Sequence, residues 1–223
     1  MTSLQLLQQQ STVSGHSERA VVRNQSVFIP AALHWCSRMQ QDCLIVIDML
    51  NDYLDQRDPG ITVRLVVKIN ELIAAFRTAA LHVIWIRQAF RPDLSDAFLE
   101  MRDKHIAVTI DGTRGAEIHT ELSRPASDPV ITKRRNSAFF RTDLDELLDS
   151  LGVTHVTLAG LNTHACIRTA AIDAYQRDLR VPITSECIDS LDGEHARISL
   201  DYMRDRIAAL SDNHTIITSL RHA

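Results

Sequence analysis

The chain lacks any C-x-x-C pair. Its four cysteines are Cys36, Cys43, Cys166 and Cys187, so the spacing of a structural zinc site is missing and a reducing cytosol is the natural compartment. It has no apolar run near the roughly 20 residues of a membrane span, so no membrane partner is expected. It has no basic block and no basic-aromatic interleaving, and its formal net charge is −4. Nucleic acid is therefore not an expected partner. The start, M-T-S-L-Q-L-L-Q-Q-Q, has neither a basic n-region nor a long apolar h-region. No secretory signal is expected, and the localisation read from it is cytoplasmic. Internal repeats and linkers are absent too.

What is present is 223 residues of which 45% are hydrophobic, enough for one domain with a sizeable core. Residues 1–40, with Gln8–Gln10 and the Ser/Thr-rich run after them, read as an N-terminal arm. Residues 41–223 read as the folded domain.

Within it, Cys43–Asp48 (C-L-I-V-I-D) is a continuous apolar run ending in a carboxylate, the pattern of a strand buried on both faces. Val63–Ala80 carries Leu65, Val66, Ile69, Leu72, Ile73 and Phe76 at helical spacing. Leu81–Ile86 is a second strand. The segment 88–129 holds a short amphipathic helix near Leu94–Lys104, the turn Thr113-Arg114-Gly115, and otherwise loop. An insertion of that length between core strands is often a lid or a substrate wall. Pro129–Thr132 is a third strand and ends in Lys133. Thr142-Asp143-Leu144-Asp145 opens a helix that Gly152 closes.

Val156–Ala159 is a fourth strand, ended by Gly160. From Thr163, a fair N-cap, small and apolar residues recur at helical spacing, so a helix is expected to begin close to Cys166. A thiol there meets unpaired N–H groups and the positive end of the helix dipole, both of which favour the thiolate. The alternative is that Cys166 is a small buried filler. Val181–Thr184 is a fifth strand, Gly193–Leu210 a helix and Thr215–Ile217 a last strand. The alternation of strand and helix predicts a single α/β domain, a three-layer α/β/α sandwich with a parallel sheet and right-handed crossovers.

Asp48, Lys133 and Cys166 each lie at or just after the carboxyl end of a predicted parallel strand. Such ends share one edge of an open sheet, where ligands bind. An acid, an amine and a thiol can meet there: the cation favours the thiolate, and the acid takes the thiol proton and later returns it to a leaving group.

Four stretches carry a resemblance: V-I-D-M-L-N-D-Y (Val46–Tyr53), T-R-G-A-E-I (Thr113–Ile118), K-R-R-N-S-A-F-F-R-T-D-L (Lys133–Leu144) and L-A-G-L-N-T-H-A-C-I-R-T-A-A-I-D-A (Leu158–Ala174). In order and spacing the chain resembles the isochorismatase-like cysteine hydrolases, which include nicotinamidases, N-carbamoylsarcosine amidase, ureidoacrylate amidohydrolases and isochorismatases. The resemblance implies a Rossmann-like sheet of six parallel strands in order 3-2-1-4-5-6. It implies a catalytic triad of Asp48, Lys133 and Cys166. It also implies a cis peptide at Leu161–Asn162 and an oxyanion hole made of the backbone N–H groups of Asn162 and Cys166. Tyr53, Phe139 and Leu50 are the expected pocket residues. Many relatives have Gln where this chain has Leu50.

Nicotinamidases carry an Asp/His metal site after the second strand. The matching stretch Arg87–Leu94 (R-Q-A-F-R-P-D-L) has no histidine, so neither a metal nor another cofactor is expected. The expected partners are a small-molecule substrate and further copies of the chain, as a dimer or tetramer. The expected activity is hydrolysis of a small amide or ureido C–N bond through a thioester. A vinyl-ether hydrolase and a non-catalytic binding domain of the same fold are the alternatives.

Overall fold

The computed structural model describes residues 41–220. The arm read over residues 1–40, and Cys36 within it, lie outside the described residues.

Strand β1 (Asp42–Ile47) is buried along its whole length. Alternation along a strand divides its side chains: Cys43, Ile45 and Ile47 enter one core layer, Leu44 and Val46 the other. Strand β2 (His82–Gln88) divides likewise, with Ile84 and Ile86 against Val83 and Trp85. Strands β3 (Val130–Lys133), β4 (His155–Leu161), β5 (Pro182–Asp189) and β6 (Ala209–Ser211) complete a parallel sheet. The order is β3-β2-β1-β4-β5-β6, as the resemblance implies.

Helices cover both faces. Asp58 caps helix α2 (Pro59–Thr78), accepting from the N–H groups of Gly60 and Ile61. That cap starts the helix four residues ahead of Val63, where the sequence reading began it. The stripe packs in one layer with Ile216 and Leu220. Helices α4 (Leu144–Ser150), α5 (Arg168–Tyr175) and α6 (Gly193–Met203) supply the other layer. Between β1 and α2 lies a single turn, α1 (Asn51–Leu54), and a second short turn, α3 (Leu99–Asp103), lies in the 88–129 insertion.

The C-terminal elements differ most from the sequence reading. The helix read over Gly193–Leu210 stops at Met203, and the last strand is Ala209–Ser211. The segment Thr215–Ile217, read as a strand from its β-branched residues, belongs to helix α7 (Asn213–Leu220). Ile216 and Leu220 stand one helical turn apart and bury together against α2, and that packing outweighs strand propensity.

Two thiols are buried without a catalytic context. Burial, with Asp42 adding to it, pushes Cys43 up to about 12, and burial does the same for Cys187. In the unfolded chain both titrate near 9.0. Above that pH the unfolded chain binds fewer protons than the folded one. Stability is therefore full below pH 9 and falls as pH rises toward 12. Each thiol is expected to remove up to about 1.4 kcal/mol per pH unit in that window. Urea titrations between pH 8 and 11 on wild type and a Cys43→Ala, Cys187→Ala variant check this. Equal slopes in the two proteins would refute it.

Candidate active site

Strand β1 delivers Asp48 directly. Its backbone N–H still donates to Ile86 O across the sheet at 2.9 Å, but its φ is 52°. This left-handed conformation is one that Asp tolerates better than most residues, and it turns the chain out of the sheet. Asp48 Oδ1 accepts the Gln88 N–H at 2.8 Å. Lys133 is the last residue of β3 and pairs in register with Gln88. Cys166 lies in a π-type turn, Thr163–Ile167, that precedes α5.

The three side chains meet. Lys133 Nζ lies 2.7 Å from Asp48 Oδ2 and donates to Cys166 Sγ at 3.3 Å and to Arg135 O at 3.1 Å. Its three protons thus face a carboxylate, a sulfur and a carbonyl. Asp48 and Lys133 are fully buried and Cys166 nearly so. Among the described residues Asp48 Oδ2 has the Lys133 ion pair and no other printed partner.

Burial and the neighbouring Asp48 push the Cys166 thiol up to about 12, and Lys133 pulls it back without prevailing. Burial and Asp48 thus oppose the helix start, which favours the thiolate. The physical reason is desolvation by burial. Burial alone would lower Lys133, but Asp48 and Cys166 outweigh it and hold its pKa above the ordinary value. Lys133→Met removes the cation that lowers the thiol, so Cys166 should titrate higher still. Iodoacetamide labelling at pH 9 is expected to slow by about tenfold or more, one pKa unit or its excess. Identical pH profiles in the two proteins would mean that Lys133 does not tune the thiol.

The turn around Cys166 is wound on Asn162. The Asn162 carbonyl accepts from Ala165 N at 3.1 Å and Ile167 N at 3.2 Å, and the Leu161–Asn162 peptide is cis. Thr163 is buried inside the turn and is not its cap; the N-cap position is Asn162 and carries no side-chain cap bond.

The expected pocket residues separate. The Tyr53 hydroxyl donates to Gln88 Oε1 at 2.5 Å. Burial, then Asp48 and Cys166, raise its pKa, so it stays a neutral phenol beside them. Leu50 is fully buried, belongs to neither core layer, and bridges to Ile118. Phe139 sits in the core under the Arg177 guanidinium, 4.5 Å from its ring centroid, and Arg177 is held by Asp145 of α4.

The insertion closes over the same edge. Asp96 takes Arg134 Nε at 2.6 Å, and its carbonyl takes Arg135 Nη1 at 2.8 Å. Arg135 also stacks on Phe98 at 5.2 Å. Asn51 Nδ2 donates to Arg114 O, and Asp52 Oδ2 accepts Thr109 N–H. The N-D-Y stretch and the T-R-G stretch are thus two halves of one contact.

Sequence reasoning missed Gln88, Arg57 and Asp189. Gln88 and Asp189 follow the rule that found Asp48, a polar residue at the carboxyl end of a buried strand. They were hidden because β2 and β5 extend past the ends read from apolar runs. Gln88 Nε2 is buried with no partner among the described residues. Arg57, in a charged loop, carries no such signal.

The Isochorismatase domain family model matches residues 42–215. The chain is 29% identical over 160 residues to a ureidoacrylate amidohydrolase from Klebsiella pneumoniae (strain 342), covering 61% of this chain and 68% of that protein. It is 25% identical over 188 residues to a maleamate amidohydrolase from Pseudomonas putida, covering 82% and 88%. An isochorismatase family protein from Desulfovibrio vulgaris subsp. vulgaris str. Hildenborough has a similar structure. Its TM-score is 0.74 at 27% identity, over 82% of this chain and 99% of that one. With the sheet order, the strand-end residues and a match that runs through every strand, this chain belongs to the isochorismatase domain family, whose members include hydrolases of C–N bonds.

Proposed function

We propose that this chain is a cysteine hydrolase of a small amide or ureido compound. The observation that carries the reading is the sealed contact of Lys133 Nζ with both Asp48 and Cys166. In the first step the Cys166 proton passes to Asp48 Oδ2 as sulfur attacks the carbonyl carbon. The thiol's high pKa makes proton loss and attack one concerted event, because a free thiolate would be costly in this site. Lys133 stays an ammonium throughout and faces whichever partner bears the negative charge. The oxyanion that forms is received by the N–H groups of Asn162 and Cys166. Collapse breaks the C–N bond, and the proton held on Asp48 goes to the leaving nitrogen. Water, deprotonated by Asp48, then hydrolyses the thioester and returns the thiol. The unpartnered Gln88 Nε2 offers a hydrogen bond to a substrate oxygen.

The test is a panel of small amides and ureides that includes maleamate and ureidoacrylate, read by ammonia release, with Cys166→Ala as control. Turnover that survives in Cys166→Ala would favour hydrolysis by direct water attack, as for a vinyl ether. No turnover of any member, with Cys166 inert to alkylation, would favour a binding domain.

A further inference from the structure

Arg57 is a buried cation that the reaction above does not use. It lies in the short connection between α1 and α2, and its side chain is 1% exposed. Its guanidinium is shared among three elements. Nε donates to Asp189 Oδ2 at the end of β5, at 2.7 Å. Nη1 donates to the Tyr53 carbonyl on α1, and Nη2 to Asn162 Oδ1 after β4. Taking a guanidinium out of water costs several kcal/mol before its partners repay it, and a buried ion pair is a poor device for stability alone. What this one does is geometric. The planar fork of Arg fixes the Asn162 side chain relative to β5 and α1 at once.

Asn162 is thereby held from two sides. Its side chain is tied to Arg57, and its carbonyl is tied to Ala165 and Ile167. Both ties leave from the Asn162 Cα, to which the Asn162 nitrogen is bonded, so cutting one of them loosens the anchor of that N–H. We infer that Arg57, braced by Asp189, is a positioning residue for the oxyanion hole and acts through the Asn162 side chain. The inference rests on the reading of Cys166 as an acyl-accepting nucleophile.

Two reactions of the same thiol separate the roles. Acylation by p-nitrophenyl acetate passes through a tetrahedral oxyanion. Alkylation by iodoacetamide is a displacement at saturated carbon and forms no such oxyanion. In Arg57→Ala the acylation of Cys166, corrected for Cys166→Ala background, is expected to slow by about 10- to 100-fold, the scale of a displaced oxyanion donor. Alkylation is expected to stay within about threefold of wild type, since Lys133 and Asp48 still set the thiol. Asn162→Ala removes no charge and cuts only the tie, so it should reproduce the selective loss. It decides the matter if Arg57→Ala fails to fold by circular dichroism. Acylation unchanged in Asn162→Ala overturns the inference, as does an equal fall of both reactions in a folded variant. Wild type with no Cys166 acylation above background overturns the nucleophile reading itself, and this inference with it.

Discussion

Cys166→Ala is expected to lose essentially all amide turnover, with kcat down by about 10^5-fold or more, the scale seen when a nucleophile is removed from a coupled catalytic unit. The fold should survive. Lys133 Nζ keeps Asp48 Oδ2 at 2.7 Å and Arg135 O at 3.1 Å when the sulfur at 3.3 Å is gone. One weak hydrogen bond lost from three costs about 1 kcal/mol. Cys166→Ser should be nearly as inactive, because a hydroxyl is far less acidic than a thiol and Asp48 is a weak base. Asp48→Asn would also stop turnover, but it leaves Lys133 buried and unpaired, at a cost of about 3–5 kcal/mol. Pairing it with Lys133→Met should restore stability without restoring activity. Ammonia release and urea denaturation on the four variants measure both effects. A stable Cys166→Ala that still turns over an amide would end the thioester mechanism.

How far the site could be read beforehand depended on what each residue answers to. Asp48 and Lys133 sit where an apolar strand stops, and burial along a strand is written in composition. The order of the strands came from motif resemblance, since nothing in an apolar run names its neighbour. The upward push on the Cys166 thiol was not legible, because local sequence shows a helix start and neither the burial nor the Asp48 charge that raise it. Arg57 was invisible for a related reason. A charged residue in a loop is usually solvated, and only the meeting of α1, β4 and β5 makes this one buried. The C-terminal helix was missed because the Thr215–Ile217 signal is local, while the contact of Ile216 and Leu220 with α2 is not.

Gly160→Ala is expected to be the most damaging glycine-to-alanine change among the described residues. Gly160 has φ +116°, a backbone state that L side chains rarely adopt. A Cβ there would lie 1.9 Å from Ile47 O, 2.8 Å from Ile47 C and 2.9 Å from Ile47 N. These are backbone atoms of the adjacent strand, paired in register with Gly160, so no side chain can swing aside. The methyl must drive β4 from β1 at the point where one strand leads to Asp48 and the other to Asn162 and Cys166. A loss above about 4 kcal/mol is expected, in the range reserved for steric conflict in a core. Gly152→Ala is the control. Its φ is +65° but nothing stands within 4 Å of its Cβ, so only the left-handed backbone penalty of about 1–2 kcal/mol applies. The two variants share a positive φ and differ in the close approach. Urea midpoints that drop equally would show that backbone conformation alone matters, and that β1 and β4 do not need glycine to bring the acid and the thiol within reach of one lysine.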